Sequence, residues 1–233
     1  LKRADAIVGT TPIYLAESPF LQDFQDKTIC LPIGIEGIHP DDEKAQALRD
    51  QYPGKKIIFS LGRLVPYKGY RYLVEAASYF PDDYVVLIGG SGPLKEEHQA
   101  MIDSLGLGDK VKLLGFVPDE MMSTLYGACD VFCLSSVQKT EAFAIVQIEA
   151  MSCGKPVVAT KIPESGVSWV NADGESGVNV EIENPEAIAG AIQTVLSPDN
   201  YTRFSAGALR RFNENFLDSR MIDGCLKIYS DLR

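Results

Sequence analysis

The sequence predicts an α/β protein built on a Rossmann-like, doubly wound parallel sheet with helices on both faces. Five short apolar runs follow one another between residues 56 and 160, and segments of about ten residues with helical character separate them. The runs are continuous, which is the pattern of strands buried on both faces of a sheet. Strands that alternate with helices form right-handed βαβ units, so the sheet is expected to be parallel.

The first forty residues have little apolar mass and no clear core of their own. Residues 5–10 and 28–33 predict two short strands. A helical stretch is predicted between them, from about Pro12. A polar helix is predicted to start at residues 40–42 and to run to about residue 52. This part of the chain is therefore expected to be the end of a larger unit, joined to the domain that contains the main sheet.

The main sheet is predicted from five runs that each end in Gly, Ser or Thr: 57–62, 85–90, 111–115, 131–136 and 156–160. A helix is expected to begin at Pro185 with Asn184 as its cap and to end near Leu196, because proline is tolerated in a first helical turn. Two more helices are expected at 198–216 and 218–231.

The composition is that of a soluble globular protein of one large or two small domains, with 45% apolar and 23% charged residues in 233. A formal net charge of -10 argues against nucleic acid or an anionic membrane as the main partner, because phosphates select basic surfaces. The sequence has no apolar run long enough to span a membrane and no apolar stretch typical of a secretory signal. A cytoplasmic location is expected, without membrane association through this domain.

The cysteines and histidines show no metal-binding or catalytic pattern. Cys129 and Cys133 have no second Cys or His pair to complete a tetrahedral site, so no metal is expected. His39, in a loop, and His98, on a charged helix, are predicted at the surface. All the cysteines are predicted to be reduced and buried: Cys30, Cys129, Cys133, Cys153 and Cys225.

A pair of cations follows the first run of the predicted sheet. Ligands of open parallel sheets bind beyond the carboxyl ends of the strands, and the loop GRLVPYKG, 62–69, places Arg63 and Lys68 there. In so acidic a protein, two neighbouring cations indicate an anion of high charge density such as a diphosphate. A surface loop with solvated bases is the alternative interpretation of this loop alone.

The second and third runs end in glycine-containing turns. The first turn, GGSGP at 89–93, lacks the third glycine of a dinucleotide fingerprint. Gly90 and Gly92 are therefore expected to let either a ligand or the backbone approach closely. The turn GFVPD at 115–119 contains Val117 and is interpreted either as a backbone edge for a planar base or as a plain strand-to-helix turn.

The stretch EAFAIVQIE, 141–149, predicts a helix that begins near Phe143 and is apolar all the way round, which is typical of a buried helix. Glu149 lies on this helix and needs a polar partner, because an unpaired buried carboxylate is costly. Free N–H groups and the positive dipole end make a helix start suitable for phosphate. Arg63, Lys68 and this helix start are therefore expected to face one anion.

Together these motifs resemble the carboxyl-terminal, nucleotide-sugar-binding domain of the family 4 retaining glycosyltransferases, whose GT-B fold has two Rossmann-like halves. The resemblance covers residues 56–233 and rests on GRLVPYKG, GGSGPLKEE, LLGFVPDEMMSTLYGACDVFCLSS and EAFAIVQIEAMSCGKPVVAT. It implies retaining transfer of a hexosyl group from a GDP- or UDP-hexose, without a cofactor or an obligatory metal. It also implies a glycan or lipid-linked acceptor in polysaccharide biosynthesis.

The resemblance further assigns roles to individual residues. Arg63 and Lys68 would bind the donor diphosphate, and the backbone from 143 to 146 would meet its phosphates. Glu149 would bind the ribose hydroxyls, and Glu141 would lie against the donor sugar. Glu141, Arg63 and Lys68 are the expected catalytic residues, with the cations and the helix dipole stabilising the leaving diphosphate. The expected donor-binding residues are Arg63, Lys68, Gly90, Val117, Glu141, Phe143, Ala144, Ile145, Val146 and Glu149.

The chain departs from the family pattern in two places. Ala144 stands where glycine is common, and residues 161–171, KIPESGVSWVN, replace a frequent glycine-pair form. The SGVSWVN part is similar to a subgroup of bacterial polysaccharide mannosyltransferases, which favours GDP-mannose as donor. Residues 1–38 resemble only the end of the amino-terminal acceptor domain and its linker, and 39–233 the donor domain. The isolated chain is therefore expected to transfer sugar poorly or not at all.

Two other functions stay open on the sequence. One is a non-catalytic nucleotide-binding module of the same fold, which the presence of Arg63, Lys68, Glu141 and Glu149 argues against. The other is a nucleotide-sugar epimerase, which would need acid and base side chains around the sugar in addition to Glu141. A dehydrogenase is disfavoured by the incomplete glycine fingerprint.

Overall fold

The computed structural model describes residues 1–232, so the last residue of the predicted domain 39–233 lies outside the described residues. The strands are β1 (Ile7–Gly9), β2 (Thr28–Cys30), β3 (Lys56–Leu61), β4 (Tyr84–Gly89), β5 (Val111–Gly115), β6 (Val131–Leu134), β7 (Val157–Lys161) and β8 (Gly177–Glu181). The helices are α1 (Pro12–Glu17), α2 (Asp42–Arg49), α3 (Tyr70–Ala76), α4 (Lys95–Ser104), α5 (Asp119–Ala128), α6 (Ile145–Ser152), α7 (Val167–Val170), α8 (Pro185–Val195), α9 (Pro198–Asn215) and α10 (Asp218–Asp231). Among residues 1–232, no helix has the length and apolar character needed to cross a lipid bilayer.

Six strands form one parallel sheet in the order β5-β4-β3-β6-β7-β8, while β1 and β2 form a separate parallel pair. The predicted fold class is confirmed. From the centre, the chain runs outward through β4 to β5 on one side and from β6 through β7 to β8 on the other. The order therefore reverses between β3 and β6, which pair directly through Ile58 opposite Val131. Such a reversal opens a crevice at the carboxyl ends of the strands, where open α/β sheets bind ligands.

Consecutive residues of the central strands fill two separate apolar cores, one on each face of the sheet. Ile58 of β3 and Ile88 of β4 belong to the core formed with α3, α4 and α8. Phe59 and Leu87 belong to the core formed with α5, α6 and α9. Successive side chains of a strand point to opposite faces. Successive residues of these strands must therefore all be apolar, because each face meets a core. This burial on both faces explains the continuous apolar runs in the sequence.

Strand β8 and the short helix α7 are absent from the sequence prediction. Strand β8 is the larger omission. It pairs with β7 at the edge of the sheet, and only Gly177 among its five residues is buried. Its sequence, GVNVE, mixes apolar and polar residues because an edge strand is only partly covered. The polar helix α2 also ends earlier than predicted, at Arg49. The Asn184 cap of α8 is confirmed, since its side chain accepts a hydrogen bond from the N–H of Ala187 at 2.9 Å.

The prediction of a surface position is confirmed for His39 and wrong for His98, which is only 2% exposed. His98 and Ile102 lie four residues apart on one face of α4, and both point into the core. The His98 ring lies edge-on to Tyr70, with the ring centroids 6.3 Å apart. Burial lowers the pKa of His98. The charged residues around it in the sequence belong to the other faces of the helix.

All five cysteines are free thiols. Cys129 and Cys133 are buried, as predicted, one in each of the two cores. The prediction of burial is wrong for Cys30, which is exposed at the end of β2, and Cys153 and Cys225 are half-buried. The two-stranded β1–β2 sheet leaves Cys30 uncovered, because no larger core forms over it in the described chain.

Candidate functional site

The loops that follow β3 and β6 meet at the crevice where the strand order reverses. Lys68, after β3, places its Nζ 2.5 Å from Oε2 of Glu141, after β6, and both side chains are only 11% exposed. The hydroxyl of Ser135 donates to the carbonyl oxygen of Lys68 at 3.1 Å. The fold thus brings together two predicted residues that are 73 positions apart in the sequence.

The carboxyl group of Glu141 is buried, and its Oε2 accepts two hydrogen bonds. Besides Lys68, the hydroxyl of Ser136 donates to its Oε2 at 2.9 Å. The hydroxyl of Ser165 donates to the main-chain carbonyl oxygen of Glu141 at 2.5 Å. A buried carboxylate is tolerated when it is paired and hydrogen-bonded. Glu141 is therefore a fixed anion, and the loop before α7 holds its backbone in place.

Helix α6 begins at Ile145, two residues later than predicted. Ala144 is the residue before it and has a left-handed backbone, φ 61° and ψ 79°, so the helix cannot extend back to Phe143. Within the described residues, no side chain caps this helix start. The first N–H groups of a helix have no partner inside it, so those of Ile145 and Val146 face outward from the helix end. Ile145 is also 42% exposed, so the prediction of a helix buried all round is wrong.

We expect Ala144→Gly to increase the free energy of unfolding by about 1 kcal/mol. A left-handed backbone costs a residue with a Cβ about 1–2 kcal/mol relative to glycine, and the greater freedom of glycine in the unfolded chain offsets part of that gain. Urea unfolding of both proteins measures the difference. A loss of stability in the variant would show that the backbone at Ala144 is not strained.

Arg63 lies on the same loop as Lys68 and is exposed. The ion pairs among residues 1–232 do not include it. The neighbouring Gly62 allows the Lys68 side chain to lie against the loop, because a Cβ at Gly62 would come within 3.2 Å of Lys68 Cε. The loop therefore presents one cation already paired with Glu141 and one with a free guanidinium.

The glycine turns after β4 and β5 build one wall of the crevice. Gly90 has a φ of 133°, and a Cβ there would overlap the carbonyl oxygen of Gly62. Its N–H donates to the carbonyl oxygen of Gly115 at 2.7 Å. The glycines are expected from the sequence to allow close approach of either a ligand or the backbone. The structure supports close approach of the backbone. Val117 is half-buried and covers Gly89, where a Cβ would lie 2.7 Å from Val117 Cγ2.

Glu149 has the polar partner that its place on α6 requires. The hydroxyl of Tyr126, on α5, donates to Oε2 of Glu149 at 2.6 Å. Burial raises the pKa of Glu149, the hydrogen bond from Tyr126 opposes this shift, and the negative charge of Asp119 adds to it. Sequence reasoning missed Tyr126, and the one available signal is a tyrosine among the apolar residues of α5.

Glu149→Gln is expected to stabilise the protein at about pH 8 and to lose this advantage towards pH 4. With its pKa raised by folding, Glu149 binds its proton more tightly in the native state than in the unfolded state. Ionisation at higher pH therefore costs native stability, whereas glutamine stays neutral and still accepts from Tyr126. Urea unfolding across this pH range measures the difference, and a constant difference would contradict the shifted pKa.

Two other features of the described chain bear on ligand binding. Residues 1–232 contain no group of three or more His, Cys, Asp or Glu side chains placed to hold a metal ion. A separate cavity of about 290 Å³ is lined by residues that include Tyr70, Arg71 and His98. None of the predicted donor-binding residues lines this cavity.

Comparison with known proteins finds similarity to glycosyltransferases. The sequence model described as "Glycosyl transferases group 1" matches residues 41–211. The whole chain is 30% identical to O-antigen chain mannosyltransferase C of Escherichia coli and spans 62% of that protein. Over 93% of its length it is 29% identical to D-rhamnosyltransferase WbpZ of Pseudomonas aeruginosa, and it spans 56% of that protein.

The fold is shared with a protein of known structure. The structure of Anabaena Alr3699/HepE in complex with UDP matches 98% of this chain with a TM-score of 0.86 at 25% identity. The chain covers 64% of that protein. It thus spans somewhat under two thirds of the length of each of these three similar proteins. The match to a GT-B half that was expected from the sequence is confirmed at the level of the fold.

Proposed function

Because this chain belongs to the glycosyl transferases group 1 family, we propose that its crevice binds the nucleotide-diphosphate sugar of a retaining, family 4 hexosyltransferase. The observation that carries the proposal is the buried contact between Lys68 and Glu141, beside the uncapped start of α6. Cations and free N–H groups that converge at a sheet's switch point are suited to a diphosphate.

In this proposal the diphosphate lies between Lys68, Arg63 and the N–H groups of Ile145 and Val146. Lys68 has three N–H donors, so it can keep Glu141 while it binds a phosphate oxygen. The negative charge that develops on the leaving diphosphate is stabilised by these groups, which are in place before the reaction. They supply positive charge without a metal ion or a cofactor. Glu141, held by Ser136 and Lys68, faces the donor sugar.

The rest of the nucleotide would extend along the two walls of the crevice. Glu149 is assigned to the ribose hydroxyls, because a carboxylate accepts the two hydrogen bonds of a diol. The base is assigned to the wall built by Gly90 and Val117. The backbone from Phe143 to Val146 then lies along the phosphates, with Ala144 as the turn that exposes its N–H groups.

We propose a mannosyl donor linked to GDP and an acceptor that is a glycan or lipid-linked glycan in polysaccharide synthesis. One relative supports the mannosyl group by its name, the O-antigen chain mannosyltransferase, whereas the name of the other specifies a rhamnosyl group. Residues 165–171 support it through the resemblance to mannosyltransferases. In the structure this loop acts on Glu141 and Ala142: Ser165 donates to the Glu141 carbonyl oxygen, and the Gly166 N–H donates to the Ala142 carbonyl oxygen at 3.0 Å.

We further propose that residues 39–233 are the donor domain and that residues 1–38 belong to an acceptor domain and its linker. Helix α10 offers a surface that such an acceptor domain could contact, because it exposes Ile222, Leu226 and Tyr229 at 51%, 63% and 70%. These residues are spaced four and three apart and so share one face. Contiguous exposed apolar surface marks a contact region. With acceptor contacts supplied by that other domain, the isolated chain is expected to transfer sugar poorly or not at all.

Thermal-shift titration tests the proposed function. The melting temperature of the chain is measured with GDP, UDP, ADP and the corresponding nucleotide sugars, because a ligand of the native state raises stability by mass action. We expect a shift with GDP or UDP and their hexoses. The absence of a shift with every nucleotide would favour a non-catalytic scaffold, and conversion of a bound sugar into its epimer would favour the epimerase.

A further inference from the structure

Tyr126 is a tyrosine that the core fixes rigidly beside the proposed ribose contact. It is fully buried, and its ring lies edge-on to Phe59 with the centroids 5.3 Å apart. Its other aromatic neighbour, Phe132, has its ring centroid 5.8 Å away. A phenylalanine would fill the same apolar space on α5. The feature of Tyr126 that needs an explanation is therefore its hydroxyl group.

The hydroxyl of Tyr126 is directed at one oxygen of Glu149. It donates to Oε2 at 2.6 Å and lies 3.5 Å from the carbonyl oxygen of Val146. A phenol has one hydrogen to donate, and the shorter distance assigns it to the carboxylate. Burial and the neighbouring Glu149 charge raise the pKa of Tyr126 well above its usual value, so the phenol keeps its proton and acts as a donor.

We propose that Tyr126 is a positioning residue that orients the Glu149 carboxylate towards the ribose of the nucleotide. The inference rests on the proposed function, in which Glu149 binds that ribose. Among residues 1–232, Oε2 accepts from Tyr126 and no protein group donates to Oε1. Tyr126 thus occupies one oxygen of the carboxylate and leaves the other for ligand hydroxyl groups.

The aromatic packing makes this arrangement effective before a ligand binds. A glutamate side chain has several rotatable bonds, and fixing it costs conformational entropy. The Tyr126 ring is already immobile between Phe59 and Phe132, so its hydroxyl holds the carboxylate without further ordering. A site that is ordered in advance binds its ligand more tightly, because less freedom is lost on binding.

The test compares the affinity for GDP with that for 2′,3′-dideoxy-GDP, which lacks both ribose hydroxyls, by isothermal titration calorimetry. The matching uridine nucleotides are titrated in the same way. Wild-type protein is expected to prefer the ribonucleotide by about tenfold or more, the usual scale of hydrogen bonds to a charged group. Tyr126→Phe is expected to reduce this preference to about threefold or less and to leave the affinity for the dideoxy nucleotide unchanged.

Two further variants separate positioning from general loss of structure. Tyr84→Phe removes the hydroxyl of another buried tyrosine, which accepts from Lys56 Nζ at 3.2 Å at the opposite end of the sheet. It is expected to keep the full ribose preference. Glu149→Ala is expected to abolish the preference, as a direct ribose contact requires.

The outcomes distinguish this inference from the proposed function. If Tyr126→Phe keeps the wild-type preference while Glu149→Ala loses it, Tyr126 does not position Glu149, and the ribose contact itself stands. If Glu149→Ala also keeps the preference, or wild type has none, Glu149 does not bind the ribose and both statements are overturned. A fall in affinity for both nucleotides in Tyr126→Phe would indicate a structural role alone and would overturn the inference.

Discussion

Replacing Lys68 with alanine is expected to weaken the binding of GDP or UDP by about 1.5–3 kcal/mol, a loss of roughly tenfold to more than a hundredfold. The ammonium group is buried at the start of the crevice and donates to Glu141, so it is held ready for a second anion. Removing it takes away the proposed charge-assisted hydrogen bond to the diphosphate. Titration calorimetry with the nucleoside diphosphate measures the change, and an unchanged affinity would remove Lys68 from the site.

The same substitution is expected to lower the free energy of unfolding by about 3–5 kcal/mol, because it leaves the buried Glu141 charge without its cation. Glu141→Gln in the Lys68→Ala background should restore stability without restoring affinity. Lys139→Ala is the matched control, since Lys139 forms an exposed pair with Glu164 at 2.8 Å and such pairs contribute at most about 1 kcal/mol. Loss of affinity in this control would mean that general loop charge, and not Lys68, attracts the diphosphate.

Gly69→Ala is expected to destabilise the protein by about 2–5 kcal/mol. Gly69 has a φ of 64°, and a Cβ there would overlap the carbonyl oxygen of Ser135. The left-handed backbone alone costs an alanine about 1–2 kcal/mol, and forcing the two loops apart adds about 1–3 kcal/mol. Since Lys68 is the preceding residue, the displaced loop should also weaken diphosphate binding.

Gly106→Ala measures the cost of a left-handed backbone without the cost of a steric overlap. Gly106 has a φ of 66°, almost the same as Gly69, and a Cβ there would meet nothing within 4 Å. Its replacement is expected to cost about 1–2 kcal/mol and to leave nucleotide affinity unchanged. Urea unfolding of both variants measures the two costs. Equal losses would contradict the close packing of the Lys68 and Ser135 loops.

The central strands could be predicted from the sequence because burial on both faces requires continuous apolar runs. The edge strand β8 could not, because Asn179 and Glu181 interrupt its pattern and only the pairing with β7 defines it. The prediction of a surface position for His98 is wrong for a related reason. Its charged neighbours on α4 dominate the local sequence, and which face of a helix meets the core is decided by tertiary packing.

In the candidate site, too, the sequence predicts some residues, and others depend on tertiary packing. Arg63, Lys68, Glu141 and Glu149 stand out in the sequence because charged residues follow or interrupt apolar runs. Tyr126, and the serines that hold Glu141, have ordinary sequence positions, and their part depends on contacts between distant segments. The start of α6 at Ile145 depends likewise on the backbone at Ala144, which residue type alone does not indicate. Sequence therefore indicates the charges of this site, and the structure adds the groups that orient them.

The most direct test of the central claim is an amide NMR titration of the chain with GDP and with UDP. If the diphosphate binds at the start of α6 beside Lys68, the N–H signals of Ala144, Ile145 and Val146 should shift most, and the same shifts in Lys68→Ala should need about tenfold to a hundredfold more nucleotide. Shifts confined to other residues, such as those around the cavity of Tyr70 and His98, or shifts in Lys68→Ala that need no more nucleotide than in the wild type, would contradict the proposed site.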